Sequence, residues 1–424
     1  MPCMSSDPYT FVLGGGAAGF FAAITCAEDN PQARVTILEK SRTLLSKVRI
    51  SGGGRCNVTH ACFDPALLVQ HYPRGGAALR GPFTRFQPRD TIAWFEQRGV
   101  QLKTESDGRV FPVTDRSETI VACLLNAAHA SGPPASNGSR VWARAGVTIR
   151  TQVSIASIER DDRSGFVMRL KSGEMLTADR VLLATGSNPQ GYAWAAALGH
   201  SIAPPVPSLF TFTVDDPRLH GLAGISVPNA RVEIEGTSLT HSGPLLITHW
   251  GLSGPAILKL SAWGARVLHD RSYRVQLFID WLADRHEDDV RHDLRAIKSD
   301  QARRVIGSSS PLGLSLRLWQ QLIEAAGITG EQRWAELSKR QIAALIDQLK
   351  RGEYHVCGKG EFKEEFVTCG GVRLDEVNFR TMESRVCPGL YFAGEILDID
   401  GLTGGFNFQA AWTTGWLAGR AMAA

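Results

Sequence analysis

The chain has 424 residues, 43% apolar and 21% charged, with 43 glycines. That composition excludes a disordered chain or a coiled coil, and the length allows two or three domains. A formal charge of only +4, with no run of five Lys or Arg, requires no nucleic-acid partner, and eight scattered cysteines without a C-x-x-C pair suit a reducing cytoplasm.

The first residues, MPCMSSDPYT, lack a basic segment followed by an apolar one, so no secretory signal is expected. Residues 8–27 are uncharged and long enough to raise a membrane helix, but Gly14, Gly15, Gly16 and Gly19 break them into strand, turn and helix. YTFVLGGG reads as a strand running into glycines, AAGFFAAITCAED as a helix ending before Pro31, and RVTILEK as a second strand. This βαβ unit implies a parallel sheet with a right-handed crossover. Gly14, Gly16 and Gly19 fit G-x-G-x-x-G. The first glycine serves a tight turn, the second a close approach of backbone N–H groups to a pyrophosphate, and the third close helix packing. Glu39, twenty residues after Gly19, ends the second strand where a carboxylate can accept from ribose hydroxyls. The dinucleotide is NAD or FAD; this fingerprint does not separate them.

RISGGGRCNVTH, residues 49–60, has no Gly-Lys-Ser/Thr ending and is not a Walker A loop. Cys56 within it is a candidate redox thiol, but the nearest cysteine, Cys62, is six positions on, and a packed inert cysteine is the preferred reading. Gly52 to Gly54 are read as a close pass of the chain beside the cofactor, with Arg55 and Asn57 as donors to it. PRDTIAWFEQRG and SETIVACLLNAAHA read as helices flanking a strand pair that turns near Asp107 and Gly108. SGPPASNGS, residues 131–139, reads as a loop. Residues 147–186 read as a β-meander with turns at Arg163–Gly165 and Ser172–Gly173, ending in a buried strand that delivers Thr185 and Gly186 to a loop.

The texture changes near 190. Residues 191–280 read as β-rich and 281–365 as helical, from DDVRHDLRAI and QRWAELSKRQIAALIDQLKRG. Within THWGLSGPA, Ser253 is expected to cap a helix beginning near Pro255, Trp250 to lie in the core, and His249 to be a candidate proton-transfer group. The α/β texture resumes at 366, with GLYFAGE as a strand and GGFNFQAAWTTGWLAGRAMA as a glycine turn opening a helix. The expected fold is α/β: a Rossmann-like FAD/NAD(P)-binding domain of residues 1–190 and 366–424, interrupted by an inserted domain of residues 191–365.

ATGSNP and YFAGEILDIDGLTGGFNFQAA resemble the second and third FAD-contact segments of two-dinucleotide-fold flavoproteins. ISGGGRCNVTH, THWGLSGPAILKLS, TCGGV, TMESR and GLYFAGEILDIDGLTGGFNFQAAWTTG, in this order, resemble the HI0933-like (BaiN-like) flavoprotein family over nearly the whole chain. The resemblance implies that the inserted domain is a β-barrel plus a helical part. It also implies FAD contacts at Gly14, Gly16, Ala18, Gly19, Glu39, Lys40, Lys47, Gly53, Gly54, Asn57, Val153, Thr185, Gly186, Gly394, Glu395, Gly405, Phe406 and Asn407. Phe406 and Phe408 stand where tyrosine and leucine are common in that family.

The function expected is an FAD-dependent oxidoreductase without a metal, carrying out NAD(P)H-linked reduction or dehydrogenation of a small unsaturated carbonyl compound. The alternatives are an oxygen-dependent amine or alcohol oxidase, a flavin-dependent RNA-modifying enzyme and a non-enzymatic redox sensor. A small-molecule substrate, a cytoplasmic location and no membrane partner complete the expectation. The inserted module is pictured as a lid carrying His249 to the flavin.

Overall fold

The computed structural model describes residues 9–130, 146–161, 165–360 and 367–424; the expected loop at 131–139, and Arg163 and Ser164 of the expected turn, lie outside them. The chain divides into two compact units, Met1–Pro205 with Thr368–Ala424, and Val206–Val367.

In the first unit the apolar runs YTFVL and RVTIL form the strands Tyr9–Leu13 and Arg34–Leu38, and the Ala17–Asp29 helix crosses between them. They belong to a seven-stranded sheet ordered Val377–Asn378, Glu383–Ser384, Leu390–Phe392, Arg180–Leu183, Tyr9–Leu13, Arg34–Leu38, Thr148–Arg150. The five strands from Leu390–Phe392 to Thr148–Arg150 run parallel, and the other two form an antiparallel edge hairpin. Strand order reverses at Tyr9–Leu13, which has its sequence successor on one side and Arg180–Leu183 on the other. A doubly wound sheet binds its ligand in the crevice at that reversal, beyond the carboxyl ends of the strands.

The Ala17–Asp29 helix is buried on all sides because strands, the Ser117–Ala130 helix and the C-terminal Phe406–Ala423 helix all pack on it. Small residues let the two terminal helices approach closely. A Cβ on Gly415 would lie 2.7 Å from the Ala18 carbonyl oxygen, and one on Gly419 2.5 Å from that of Ala22. Phe21, buried within this contact, meets Trp412 with ring centroids 5.3 Å apart and Trp94 at 4.6 Å. Burying such a ring stabilises by roughly 1.5–3 kcal/mol.

Two readings of the 147–186 segment need correction. Thr148–Arg150 is not part of the meander but pairs in parallel with Arg34–Leu38, and the antiparallel meander is confined to Ile155–Asp161, Gly165–Leu170 and Met175–Ala178. Short apolar strands of parallel and antiparallel sheets share one sequence texture, so only the pairing separates them.

At the sheet edge, the buried His200 joins the helix after Thr185 to the hairpin. Its Nδ1 lies 3.0 Å from a Glu376 carboxylate oxygen and its Nε2 2.8 Å from Ser384 Oγ. Ser384 Oγ also accepts from the Val386 and Cys387 amides at 2.9 and 2.7 Å, so its proton goes to Nε2 and the imidazole is neutral with Nδ1–H on Glu376. Burial lowers the His200 pKa against the opposing pull of Glu376. With both Ser384 lone pairs engaged, the Ser-His-Glu alignment is a structural clasp and not a nucleophile.

The second unit holds a seven-stranded antiparallel sheet ordered Gly352–Val356, Val275–Asp280, Ser226–Ile234, Thr240–Thr248, Gly251–Ser253, Phe212–Thr213, Gly358–Lys359. The outermost strands of that order are consecutive in the chain, separated only by Cys357. Helices Glu287–Asp300, Leu316–Ala325 and Lys339–Arg351 enclose the buried Trp319 and Trp334 in the same core. The helix read across QRWAELSKRQ starts later than expected. Trp334–Glu336 forms a short 3-10 turn, and the α-helix begins after Ser338, whose Oγ accepts from Gln341 N in a capping box.

Candidate functional site

The glycine fingerprint sits at the sheet's reversal point, and each glycine has a distinct physical reason. Gly14 has φ +119°, and a Cβ there would lie 2.3 Å from the Ala184 carbonyl oxygen. A Cβ on Gly19 would fall 2.0 Å from the Gly14 carbonyl oxygen, so the helix can sit on its turn only without a side chain. Nothing lies within 4 Å of a Cβ on Gly16, whose φ of −97° suits any residue. Gly16 is the N-cap of the Ala17–Asp29 helix with no side-chain cap, leaving an open face where an anion meets the helix dipole.

Glu39 fixes this turn. Its carboxylate accepts from Gly15 N at 2.8 Å and from Ser41 N at 2.7 Å, while its carbonyl oxygen accepts from Val153 N at 2.9 Å. Lys40 is exposed beside it, and Ala18 is buried, its Cβ 2.9 Å from where a Cβ on Gly394 would stand.

The glycine triplet breaks the Ser46–Gly54 helix. Ser51 turns extended, and Gly52, Gly53 and Gly54 follow with φ of +58°, +67° and +84°. Successive left-handed residues are open only to glycine. A Cβ on Gly53 or Gly54 would meet nothing within 4 Å, so these two are glycine for conformation and present bare backbone. Arg55 is anchored away from a simple donor role, with Nη1 2.7 Å from Glu105 and its guanidinium 4.0 Å over the Phe111 ring. Cys56 is fully buried, and burial pushes its thiol up to about 12, the character of an inert packed cysteine.

Asn57 closes onto the C-terminal helix. With its amide oriented to satisfy both neighbours, its oxygen accepts from Gly405 N at 3.0 Å and its nitrogen donates to the Thr59 carbonyl at 3.0 Å. Gly405, the left-handed N-cap with φ +94°, could carry no Cβ, which would lie 2.5 Å from the Thr59 carbonyl. Asn407 holds the same turn: its Oδ1 accepts from Gly401 N and its Nδ2 donates to the Gly401 carbonyl, both at 2.8 Å. The Phe406 ring stacks on His71 at 4.2 Å and on His60 at 4.7 Å. Burial lowers the His60 pKa, and its Nε2 donates to the Asp107 carbonyl at 3.1 Å, leaving Nδ1 as a bare acceptor. This aromatic cluster escaped sequence reading, although His60 closes the RISGGGRCNVTH stretch.

Thr185 and Gly186 leave the strand next to Gly14, where a Cβ would lie 3.2 Å from Thr185 Cα. The Thr185 hydroxyl is buried without a hydrogen-bond partner among the described residues. Glu395, in the Gly394–Ile396 turn, accepts from Thr368 N at 3.1 Å and pairs with Lys47. A Cβ on Gly186 would stand 3.6 Å from Glu395 Oε2. The bare backbone at Gly16, Gly53 and Gly54, the orphaned Thr185 hydroxyl and a carboxylate at each of two strand ends fit an extended dinucleotide. All the expected contact residues lie in the first unit.

His249 and Trp250 lie in the second unit, in the tight turn between Thr240–Thr248 and Gly251–Ser253. Both are exposed. Trp250, 38% exposed with Nε1 3.3 Å from Thr211 Oγ1, is therefore not the core residue expected. Ser253 does not cap the Pro255–Trp263 helix either: it is the last residue of a strand, and Gly254 is the N-cap with no side-chain bond. No helix among the described residues is long and apolar enough to cross a membrane, and none of their side-chain clusters could hold a metal ion.

The HI0933-like protein Rossmann domain family matches residues 8–421. A 3-dehydro-bile acid delta(4,6)-reductase of Clostridium scindens is 29% identical over 97% of this chain and 98% of its own. A ribosomal RNA dihydrouridine synthase of Escherichia coli is also 29% identical, over 96% and 95%. Among solved structures, a 3-ketosteroid delta1-dehydrogenase from Sterolibacterium denitrificans is 14% identical with a TM-score of 0.46, covering 99% of this chain and all of that one. The match across nearly every described element, from the first strand to the terminal helix, shows that the chain belongs to the HI0933-like Rossmann-domain family.

Proposed function

We propose that the chain is an FAD-dependent oxidoreductase that saturates a carbon–carbon double bond conjugated to a carbonyl, with NAD(P)H as electron donor. The observation that carries the cofactor is the uncapped Gly16 helix terminus at the sheet's reversal point, with Glu39 locked on the same turn at 2.8 Å. The reaction class draws on the two curated relatives. A delta(4,6)-reduction of a 3-dehydro bile acid and the formation of dihydrouridine are both reductions of an alkene conjugated to a carbonyl.

Bound FAD supplies the two-electron chemistry. The chain's own residues bind and orient it. The open backbone amides at Gly16 and in the first turn of the Ala17–Asp29 helix, with the helix dipole, would hold the pyrophosphate. Glu39, which already fixes the Gly15 amide, would accept from ribose hydroxyls with its remaining lone pairs, and the bare Gly53–Gly54 backbone would lie against the cofactor. The N-terminus of Phe406–Ala423, set by Asn57 and Asn407, would favour negative charge on a flavin bound beside it. Lys40, Lys47 and Val153 complete the proposed contacts. His249, an exposed imidazole, is kept as the candidate proton donor.

Anaerobic stopped-flow reduction by NADH and by NADPH, followed by a 3-oxo-4,6-diene steroid, tests this reading. Reduction by neither nucleotide refutes the NAD(P)H linkage. The second reading, reduction of uracil within RNA, is favoured by the ribosomal RNA enzymes among the relatives. It predicts loss of uracil absorbance in an RNA transcript where the steroid stays unchanged. We read the closed strand order of the second unit as the β-barrel that the family resemblance implies.

A further inference from the structure

Tyr192 lies outside every cofactor segment described above, in the Pro189–Ala197 helix that follows Thr185 and Gly186. Asn188 fixes the start of that helix, its Oδ1 accepting from Gln190 N at 2.9 Å. The Tyr192 side chain is more than nine-tenths buried, and its hydroxyl has no hydrogen-bond partner among the described residues. Burial, with the negative charges of Glu395 and Asp398, drives the phenol upward, so its proton stays in place.

The surroundings point to what it would meet. Gly191 presses the helix onto Thr185, since a Cβ there would fall 2.0 Å from Thr185 Oγ1. That hydroxyl is the second unpartnered buried donor of this corner. Thr185 itself adjoins Gly14, so the corner is continuous with the proposed pyrophosphate turn. Two carboxylates close enough to act on Tyr192 would repel a phosphate, but an uncharged polyol offers oxygens that accept from the phenol and hydroxyls that donate to the carboxylates. Resting on the FAD reading, we propose that Tyr192 is an unassigned positioning residue of the cofactor site, its hydroxyl donating to an oxygen of the flavin's ribityl chain.

The test uses the full chain stripped of flavin, with FAD and ADP titrated by calorimetry into wild type and Tyr192→Phe. ADP carries the pyrophosphate but no ribityl chain. Loss of one hydrogen bond weakens FAD by about 5- to 10-fold, and ADP binding stays unchanged. The flavin-free variant melts higher by about 2–4 °C, because it no longer buries an unpaired hydroxyl. A merely structural tyrosine would not move stability and affinity in opposite directions. Equal FAD affinity in the two proteins overturns the proposal, as does an equal loss for FAD and ADP. If wild type binds ADP but not FAD, the FAD reading itself fails and takes this proposal with it.

Discussion

Replacing Gly16 and Gly19 separately by alanine divides what the fingerprint does for the ligand from what it does for the fold. At Gly16 an added methyl meets nothing within 4 Å, and the backbone angle suits alanine. The flavin-free protein therefore loses only the N-cap preference of glycine over alanine, under about 1 kcal/mol, or a melting shift of roughly 2–4 °C at most. The same methyl occupies the space through which backbone amides reach the pyrophosphate. Loss of one charge-assisted hydrogen bond, about 1.5–3 kcal/mol, weakens FAD by roughly 10- to 150-fold. At Gly19 the methyl would fall 2.0 Å from the Gly14 carbonyl oxygen. Relief by sliding the helix is blocked, because Gly415 and Gly419 hold its far side in backbone contact. Overpacking there costs about 1–3 kcal/mol or more in the flavin-free state itself. Thermal melts of the stripped variants and fluorescence titration with FAD read the two effects. Wild-type FAD affinity in Gly16→Ala would refute the placement of the pyrophosphate, and an undisturbed melt in Gly19→Ala would refute the packing argument.

The buried His200 is held neutral with a pKa below its ordinary 6.5. Its contribution is thus present above pH 6.5 and lost as pH falls toward and through the depressed value. Melting temperature should fall between pH 7 and 5, with a shallower slope in His200→Asn; an unchanged slope would contradict the clasp. Gln409, fully buried, accepts from Thr59 and Thr91 at 2.6 and 2.9 Å and donates to Thr413 at 3.0 Å. Gln409→Ala orphans the Thr59 and Thr91 hydroxyls, leaves Thr413 only its bond to the Phe86 carbonyl, and should cost about 2–4 kcal/mol in denaturant unfolding. Native alkylation followed by peptide mapping should label the exposed Cys357 and spare Cys56, and Cys56→Ala should retain turnover. His249→Ala should lower steady-state turnover while leaving FAD affinity unchanged if the imidazole donates the proton, and full turnover in the variant would remove that role.

Much of the cofactor turn was legible because its demands are local: a strand, glycines at fixed offsets and an acid at the next strand's end are neighbours in sequence as in space. The role of Asn57 was not, since the amide it caps, Gly405, lies across the whole chain. For the same reason the stacking of His60 and His71 on Phe406 left no trace in composition or spacing. Trp250 and Ser253 show the opposite failure. Read by residue type, one belonged in a core and the other at a helix cap, but a tight turn between two strands decides both positions. The orphaned hydroxyls of Thr185 and Tyr192 are invisible by nature, because sequence shows which groups can bond and not which are left without partners.

The contact between the first and last helices sets the order of events during synthesis. Gly415 and Gly419 seat the final helix directly on Ala18 and Ala22, and Asn30 Nδ2 reaches the Ala423 carbonyl at 3.1 Å. The proposed flavin clamp therefore closes only after the long stretch of chain between these two helices has been made. Until then the apolar Ala17–Asp29 helix waits with one flank uncovered while nearly 400 further residues emerge. Truncating the last turn should expose that early helix to aggregation before it touches the chemistry.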